Sequence, residues 1–204
     1  MNNFPTELMQ ILSGKILHDI ASSAGVVANG YEILEEGGGE DSIAFAKDLL
    51  REGSSSLVAK VKFYRLLFSA KSEEGKIKTN ELIDIINSYF SKLKVKFNSL
   101  DDLNKLGQEI GLIRAGIVGL GIYNLATLIM LKGEIKIEVK NQKILLTSSN
   151  NNIFNSKIDG FLNGETADIS AETIQYLFTN LYSKTYNTSF NILNNKGSLV
   201  IEVG

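Results

Sequence analysis

KILHDIASSAGVVANGYEIL, residues 15–34, holds the only histidine of a 204-residue chain, followed at once by an aspartate. On a helix advancing about 100° per residue, Met9, Leu12, Ile16, Ile20, Val27, Tyr31 and Leu34 gather on the side opposite His18. Around His18 itself lie Gly14, Ser22, Gly25 and Asn29, with Ala21 beside them, all small or polar. The pattern predicts a long amphipathic helix that turns its imidazole away from the apolar stripe, over a shallow floor that another protein's backbone could approach. Glycines at 14 and 25 each disfavour a helix by roughly 1 kcal/mol relative to alanine, which a purely structural helix has no evident reason to carry. A solvent-exposed histidine of no consequence is the plain alternative. The functional readings open to one histidine without partners are a general base or a nucleophile that accepts a group.

Working outward, Pro5 and Thr6 mark the helix start, and EEGGGED (35–41) breaks the pattern after Leu34. A second helix is expected from Asp41 or Ser42 to about Ser69. Its apolar positions Ile43, Ala46, Leu50, Leu57, Val61, Tyr64 and Phe68 recur mostly by threes and fours, the seam of a helix packed lengthwise on another. The two make an antiparallel helical hairpin over 1–72. Because a hairpin buries only its facing stripes, a four-helix bundle built by two chains is the expected completion, and with it a homodimer. KSEEGK (71–76) reads as a junction.

Residues 73–204 change character to mixed α and β. A helix capped by Thr79 is expected over 79–93, a short strand over 94–99 and a helix across 108–131. A hairpin of strands should follow over 134–141 and 142–149, then a helix over 167–186 capped by Ser170, and last two strands around Asn195-Lys196-Gly197. The NNN at 150–152 reads as a loop. Helices on one face of an antiparallel sheet make the whole chain α+β, with an α/β sandwich as its second domain.

Composition excludes several classes of function. A net charge of −2 with scattered Lys and Arg argues against nucleic acid as a partner, and without cysteine there are no disulfides or thiolate metal sites. A single histidine rules out a multi-histidine metal centre. The start of the chain lacks the pattern of a signal peptide, which favours the cytoplasm. Ala115–Leu131 is free of charge, but a membrane span needs roughly 20 apolar residues and this run carries Asn124, Thr127 and three glycines, so a helix buried against a sheet is expected. Gly116-x-x-Gly119-x-Gly121 lies inside that helix, which favours close packing over dinucleotide binding. Gly37–Gly39 reads as a hairpin turn, and no GxxxxGK[ST] loop occurs.

His18-Asp19 followed by Ser22 resembles the H-[DE]-x-x-[ST]-P phosphorylation motif of histidine kinase dimerisation helices. The fuller string HDIASSAGVVANGYEILEE is more closely similar to the histidine phosphotransferases of the ChpT type, whose first helix carries HD-x-x-SP-x-G-x-x-x-NG-x-E. Here the matches are His18, Asp19, Ser22, Gly25, Asn29, Gly30 and Glu32, while Ser23 stands where the family has proline. SSSLVAKVKFYRLLFSA continues the likeness through a K/Q-F-x-R-x-x-F pattern at Lys62, Phe63, Arg65 and Phe68, and ISAETIQYLFTNLYSKTY resembles the family's late helix.

The resemblance implies an obligate dimer with a four-helix stem, each chain carrying a Bergerat-type domain, shaped like a histidine kinase ATPase domain, that no longer binds ATP. The residues agree with the last point: no DxGxG occurs after residue 70, and IYNLATLIMLKG, where the Asn box would fall, offers Asn124 alone, with Leu128 at the position for a second. The implied activity is a phosphorelay in which His18 takes phosphate from an aspartyl phosphate on the receiver domain of a hybrid histidine kinase and passes it to a response regulator. Mg²⁺ would be held by the receiver, and the chain would need no cofactor of its own. Asp19 would assist the ring and equally reads as a surface acid. Lys15 is a candidate for steadying phosphate oxygens or a solvated charge. Ser22, Gly25 and Asn29 would form the docking floor, with Lys62 and Arg65 as candidate frame residues on the second helix. The other readings are a non-catalytic dimeric adaptor that docks receivers, and an ATP-dependent histidine kinase.

Overall fold

The computed structural model describes residues 4–69, 72–148, 156–165, 169–195 and 198–203. The chain divides into two compact units, Met1–Arg65 and Leu66–Gly204.

The first unit is the helical hairpin. Helix α1 runs unbroken over Phe4–Glu36, and α2 spans Glu40–Phe68, its last residues counting with the second unit. Gly37 takes φ +71°, the left-handed conformation that stops a helix, as EEGGGED predicts. The seam between the helices is narrower than the apolar spacing suggests. Small residues make the crossing: a Cβ added at Gly30 would lie 3.0 Å from the Ala46 carbonyl oxygen, and one at Gly53 would lie 3.0 Å from the Val27 amide nitrogen. Ala46 and Tyr64 of the expected seam are buried, but Ile43 and Val61 are exposed. With Met9, Leu17, Tyr31 and Val58 they leave apolar surface uncovered, because helices that approach on glycine and alanine put their bulky residues to the side of the contact.

The second unit is α+β. Strand β1 (Lys76–Lys78) pairs antiparallel with β3 (Glu109–Gly111), and a five-stranded sheet has the order β2-β4-β5-β7-β6, from Lys94–Asn98, Lys132–Lys140, Lys143–Ser148, Ser198–Val203 and Phe190–Asn195. Helices α3 (Thr79–Phe90), α4 (Leu112–Leu128), α5 (Ser156–Asn163) and α6 (Ile174–Tyr186) complete it, with a 3-10 helix over Leu100–Leu106. The β4–β5 hairpin turns on Asn141 and Gln142, both at positive φ, as a two-residue turn matched to strand twist requires. Every residue of α4 from Ala115 to Ala126 is buried, and the helix packs on β4, β5, β7 and α6. That explains its lack of an amphipathic stripe. Gly121 lets it approach the sheet: a Cβ there would sit 3.0 Å from Leu146. Among the described residues no helix is long and apolar enough to cross a membrane.

Several expectations need correction. The sheet is mixed, since β2 runs parallel to β4; the α4 connection supplies the long crossover that parallel neighbours need. The helix expected over 108–131 begins at Leu112, because Glu109–Gly111 is taken up by pairing with β1, itself within or beside the stretch read as a junction and a helix cap. Thr79 is the first residue of α3 and Lys78 stands at the cap position; the Thr79 hydroxyl donates to the Gly107 carbonyl at 2.6 Å. Ser170 heads a turn ahead of α6, its carbonyl accepting from the Ile174 amide at 2.9 Å, and the helix starts four residues later than its expected cap. Helix α5 had no sequence counterpart. The expected loop at 150–152 and the Lys196-Gly197 turn lie outside the described residues.

Candidate functional site

The site is built on the mid-length of the hairpin. The His18 side chain is 85% exposed and points off α1, with Nδ1 3.5 Å from Asp19 Oδ1. That separation is in ion-pair range and longer than a hydrogen bond. With Nδ1 turned to the carboxylate, Nε2 is the ring nitrogen presented to solvent. Ser22, Gly25 and Asn29 are exposed on the same face. Nothing lies within 4 Å of a Cβ built at Gly14 or Gly25, so the floor is open.

Asp19 is the hinge between this face and the interior. Its side chain is 34% exposed. The Tyr64 hydroxyl, reaching from α2, donates to Asp19 Oδ2, and Lys60 Nζ donates to the Asp19 carbonyl oxygen at 2.8 Å. One turn on, Ser23 is buried and its hydroxyl lies 3.0 Å from that of Ser56. The residue that replaces the motif proline therefore serves as a hydrogen-bonding contact between helices, in an α1 that stays helical through it.

The structure brings His18 and Asp19 together, with Lys15 half-exposed one turn before. Lys62 and Arg65 are exposed at the level of His18 along the hairpin. Tyr64 and Lys60 both face α1, and Lys62 stands two residues from each, about 200° round the helix, so it is directed away from α1. Sequence reasoning missed Lys60 and Tyr64 as site residues. Tyr64 was legible only as an apolar seam position, since its partner is 45 residues away in the chain.

In the second unit Asn124, at the position of the sought Asn box, is fully buried and donates through Nδ2 to the Thr179 hydroxyl at 2.8 Å. It is a packing residue between α4 and α6. Among the described residues no group of three or more His, Asp or Glu converges as a metal ion would need.

The chain is thus a helical hairpin with an outward histidine beside a tethered aspartate, followed by an α+β unit with a mixed sheet, and its fold is found in a solved structure. A solved bacterial phosphotransferase superposes over 98% of this chain and 96% of its own, with a TM-score of 0.73 at 19% identity. In sequence, the protein phosphotransferase ChpT of Brucella abortus (strain 2308) is 37% identical over 93 residues, 45% of this chain. The match spans 43% of that relative's length. The resemblance to ChpT-type proteins read from the sequence thus holds over those 93 residues, and the solved structure shows the same fold along nearly the whole chain. A histidine kinase domain from Erythrobacter litoralis aligns over 88% of this chain and 94% of its own, at a TM-score of 0.40 and 9% identity, too distant to add to this. No protein-family model matches the chain.

Proposed function

We propose that the protein is a histidine phosphotransferase of a bacterial phosphorelay, a homodimer acting in the cytoplasm, which accepts phosphate on His18 from the receiver domain of a hybrid histidine kinase and passes it to response regulators. The observation that carries this is the 85% exposed His18 side chain, with Nδ1 turned to Asp19 at 3.5 Å and Nε2 thereby directed away from it. In the transfer the Nε2 lone pair attacks phosphorus, the bond from phosphorus to the donor aspartate's oxygen breaks, and the carboxylate leaves. Nδ1 keeps its proton, and the resulting phosphoimidazolium is opposed by Asp19. Such a transfer needs an in-line nucleophile, charge neutralisation and little else from the protein. Neutralisation of the phosphoryl oxygens would come from Mg²⁺ held by the receiver's own acidic residues. Ser22, Gly25 and Asn29 give the receiver a floor to dock on, and Lys15, Lys62 and Arg65 are the cations within the same stretch of hairpin.

The apolar side chains left uncovered on both helices support dimerisation, since a second hairpin would bury them in a four-helix bundle. The test is incubation with a phosphorylated receiver domain. Acid-labile label is expected on the wild type and absent from His18→Ala; label retained by that variant refutes the assignment.

A further inference from the structure

We infer that Tyr64 is a positioning residue for the phosphate acceptor: held across the hairpin, its hydroxyl fixes the Asp19 carboxylate so that His18 is kept as the Nδ1–H tautomer with Nε2 bare. This deepens the phosphotransfer reading and rests on it. A side chain at position 19 projects about 100° round the helix from one at 18, so nothing in helical geometry alone directs the carboxylate towards the ring. Left to itself, a part-exposed aspartate samples several rotamers in water. Tyr64 removes that freedom. It is 4% exposed, and its hydroxyl donates to Oδ2, which leaves Oδ1 as the oxygen 3.5 Å from His18 Nδ1. The bond from Lys60 Nζ to the Asp19 carbonyl holds the same residue from the same helix, so side chain and backbone of Asp19 are both tied to α2. A carboxylate fixed in this way holds its negative charge beside Nδ1 and so disfavours the tautomer that would put the proton on the attacking nitrogen. During transfer the bonds made and broken are those at Nε2 and phosphorus already given; Tyr64 exchanges no proton and keeps the Asp19 carboxylate oriented while the ring becomes cationic.

The test uses the full chain, whose single imidazole gives one set of ring resonances in nitrogen-15 correlation spectra. The wild type should show Nδ1–H as the dominant tautomer. Tyr64→Phe should move the ratio towards Nε2–H and slow phosphotransfer by about tenfold, the lower end of what orienting partners behind functional histidines contribute at metal sites. Asp19→Asn should shift the tautomers likewise, and Tyr64→Phe should add nothing in that background. Fluorotyrosine placed at 64 keeps the ring if phenylalanine does not fold, and the ratio must then follow the donor strength of the hydroxyl. A labelled wild type whose tautomer ratio ignores position 64 overturns the positioning role and leaves phosphotransfer standing. A chain whose tautomers respond as expected but which takes no label overturns phosphotransfer instead.

Discussion

Gly25 separates a glycine kept for stability from one kept for access. It lies inside α1 two turns beyond His18, and an added Cβ meets nothing within 4 Å. Alanine there should therefore realise the full helix-propensity gain of about 1 kcal/mol, without strain. For a chain of this size that raises the melting temperature by about 2–4 °C. Gly53 is the control. A Cβ there would stand 2.8 Å from Val27 Cγ2, 3.0 Å from the Val27 nitrogen and 3.2 Å from the Ser23 carbonyl oxygen. Two of those atoms are backbone and can retreat only by parting the helices. Overpacking of about 1–3 kcal/mol then outweighs the propensity gain and leaves Gly53→Ala neutral to about 2 kcal/mol less stable. Thermal unfolding followed by circular dichroism, run beside initial phosphotransfer rates, reads both effects. Gly25→Ala should melt higher and transfer phosphate several-fold more slowly, because its methyl stands on the floor the receiver approaches. A Gly25→Ala chain that is stabilised and transfers at the wild-type rate refutes the docking floor, and a destabilised one refutes the open helix face.

Ser23→Pro restores the motif residue, removing an amide that in a regular helix donates to the Asp19 carbonyl, at a cost of about 3 kcal/mol. That carbonyl also accepts from Lys60 Nζ at 2.8 Å, so adding Lys60→Met should destabilise by more than the sum of the single changes in chemical denaturation; strict additivity rejects the compensation. Gly116→Ala places a methyl against the Tyr182 hydroxyl, which donates to the Ile113 carbonyl at 2.9 Å. Despite the better helix former it should lower stability by about 1–3 kcal/mol, and a higher melting temperature would contradict the packing. Burial raises the Tyr176 and Tyr182 hydroxyls well above the ordinary tyrosine value, in Tyr182 with help from Tyr186. Unfolded tyrosines lose their protons near pH 10 while these keep theirs, so stability is intact below about pH 10 and falls as pH rises through it. Phenolate absorbance should rise in two stages, the later one coincident with unfolding; a single reversible stage for all tyrosines would contradict their burial.

The sequence by itself determined the long helical hairpin and its break, the outward imidazole, the α+β character of the second unit and the burial of Ala115–Ala126 within the charge-free run, though not of Met130 near its end. Each is a matter of local periodicity or composition, and 3.6-residue spacing fixes which way His18 faces relative to the apolar positions of its own helix. Close packing at Gly116 and Gly121 was legible for the same reason, since glycines within an apolar helix have few other uses. What periodicity cannot carry is pairing across distance. The parallel placement of β2 beside β4, the capture of Glu109–Gly111 by Lys76–Lys78 and the late start of α6 all depend on partners remote in the chain. The site divides along the same line. His18 and Asp19 were readable as neighbours, but only the tertiary structure put the Tyr64 hydroxyl on the Asp19 carboxylate and the Ser56 hydroxyl on Ser23. Helical spacing orders residues around one axis, whereas these contacts depend on the distance and rotation between two axes, which the glycine crossing at Gly30 and Gly53 sets.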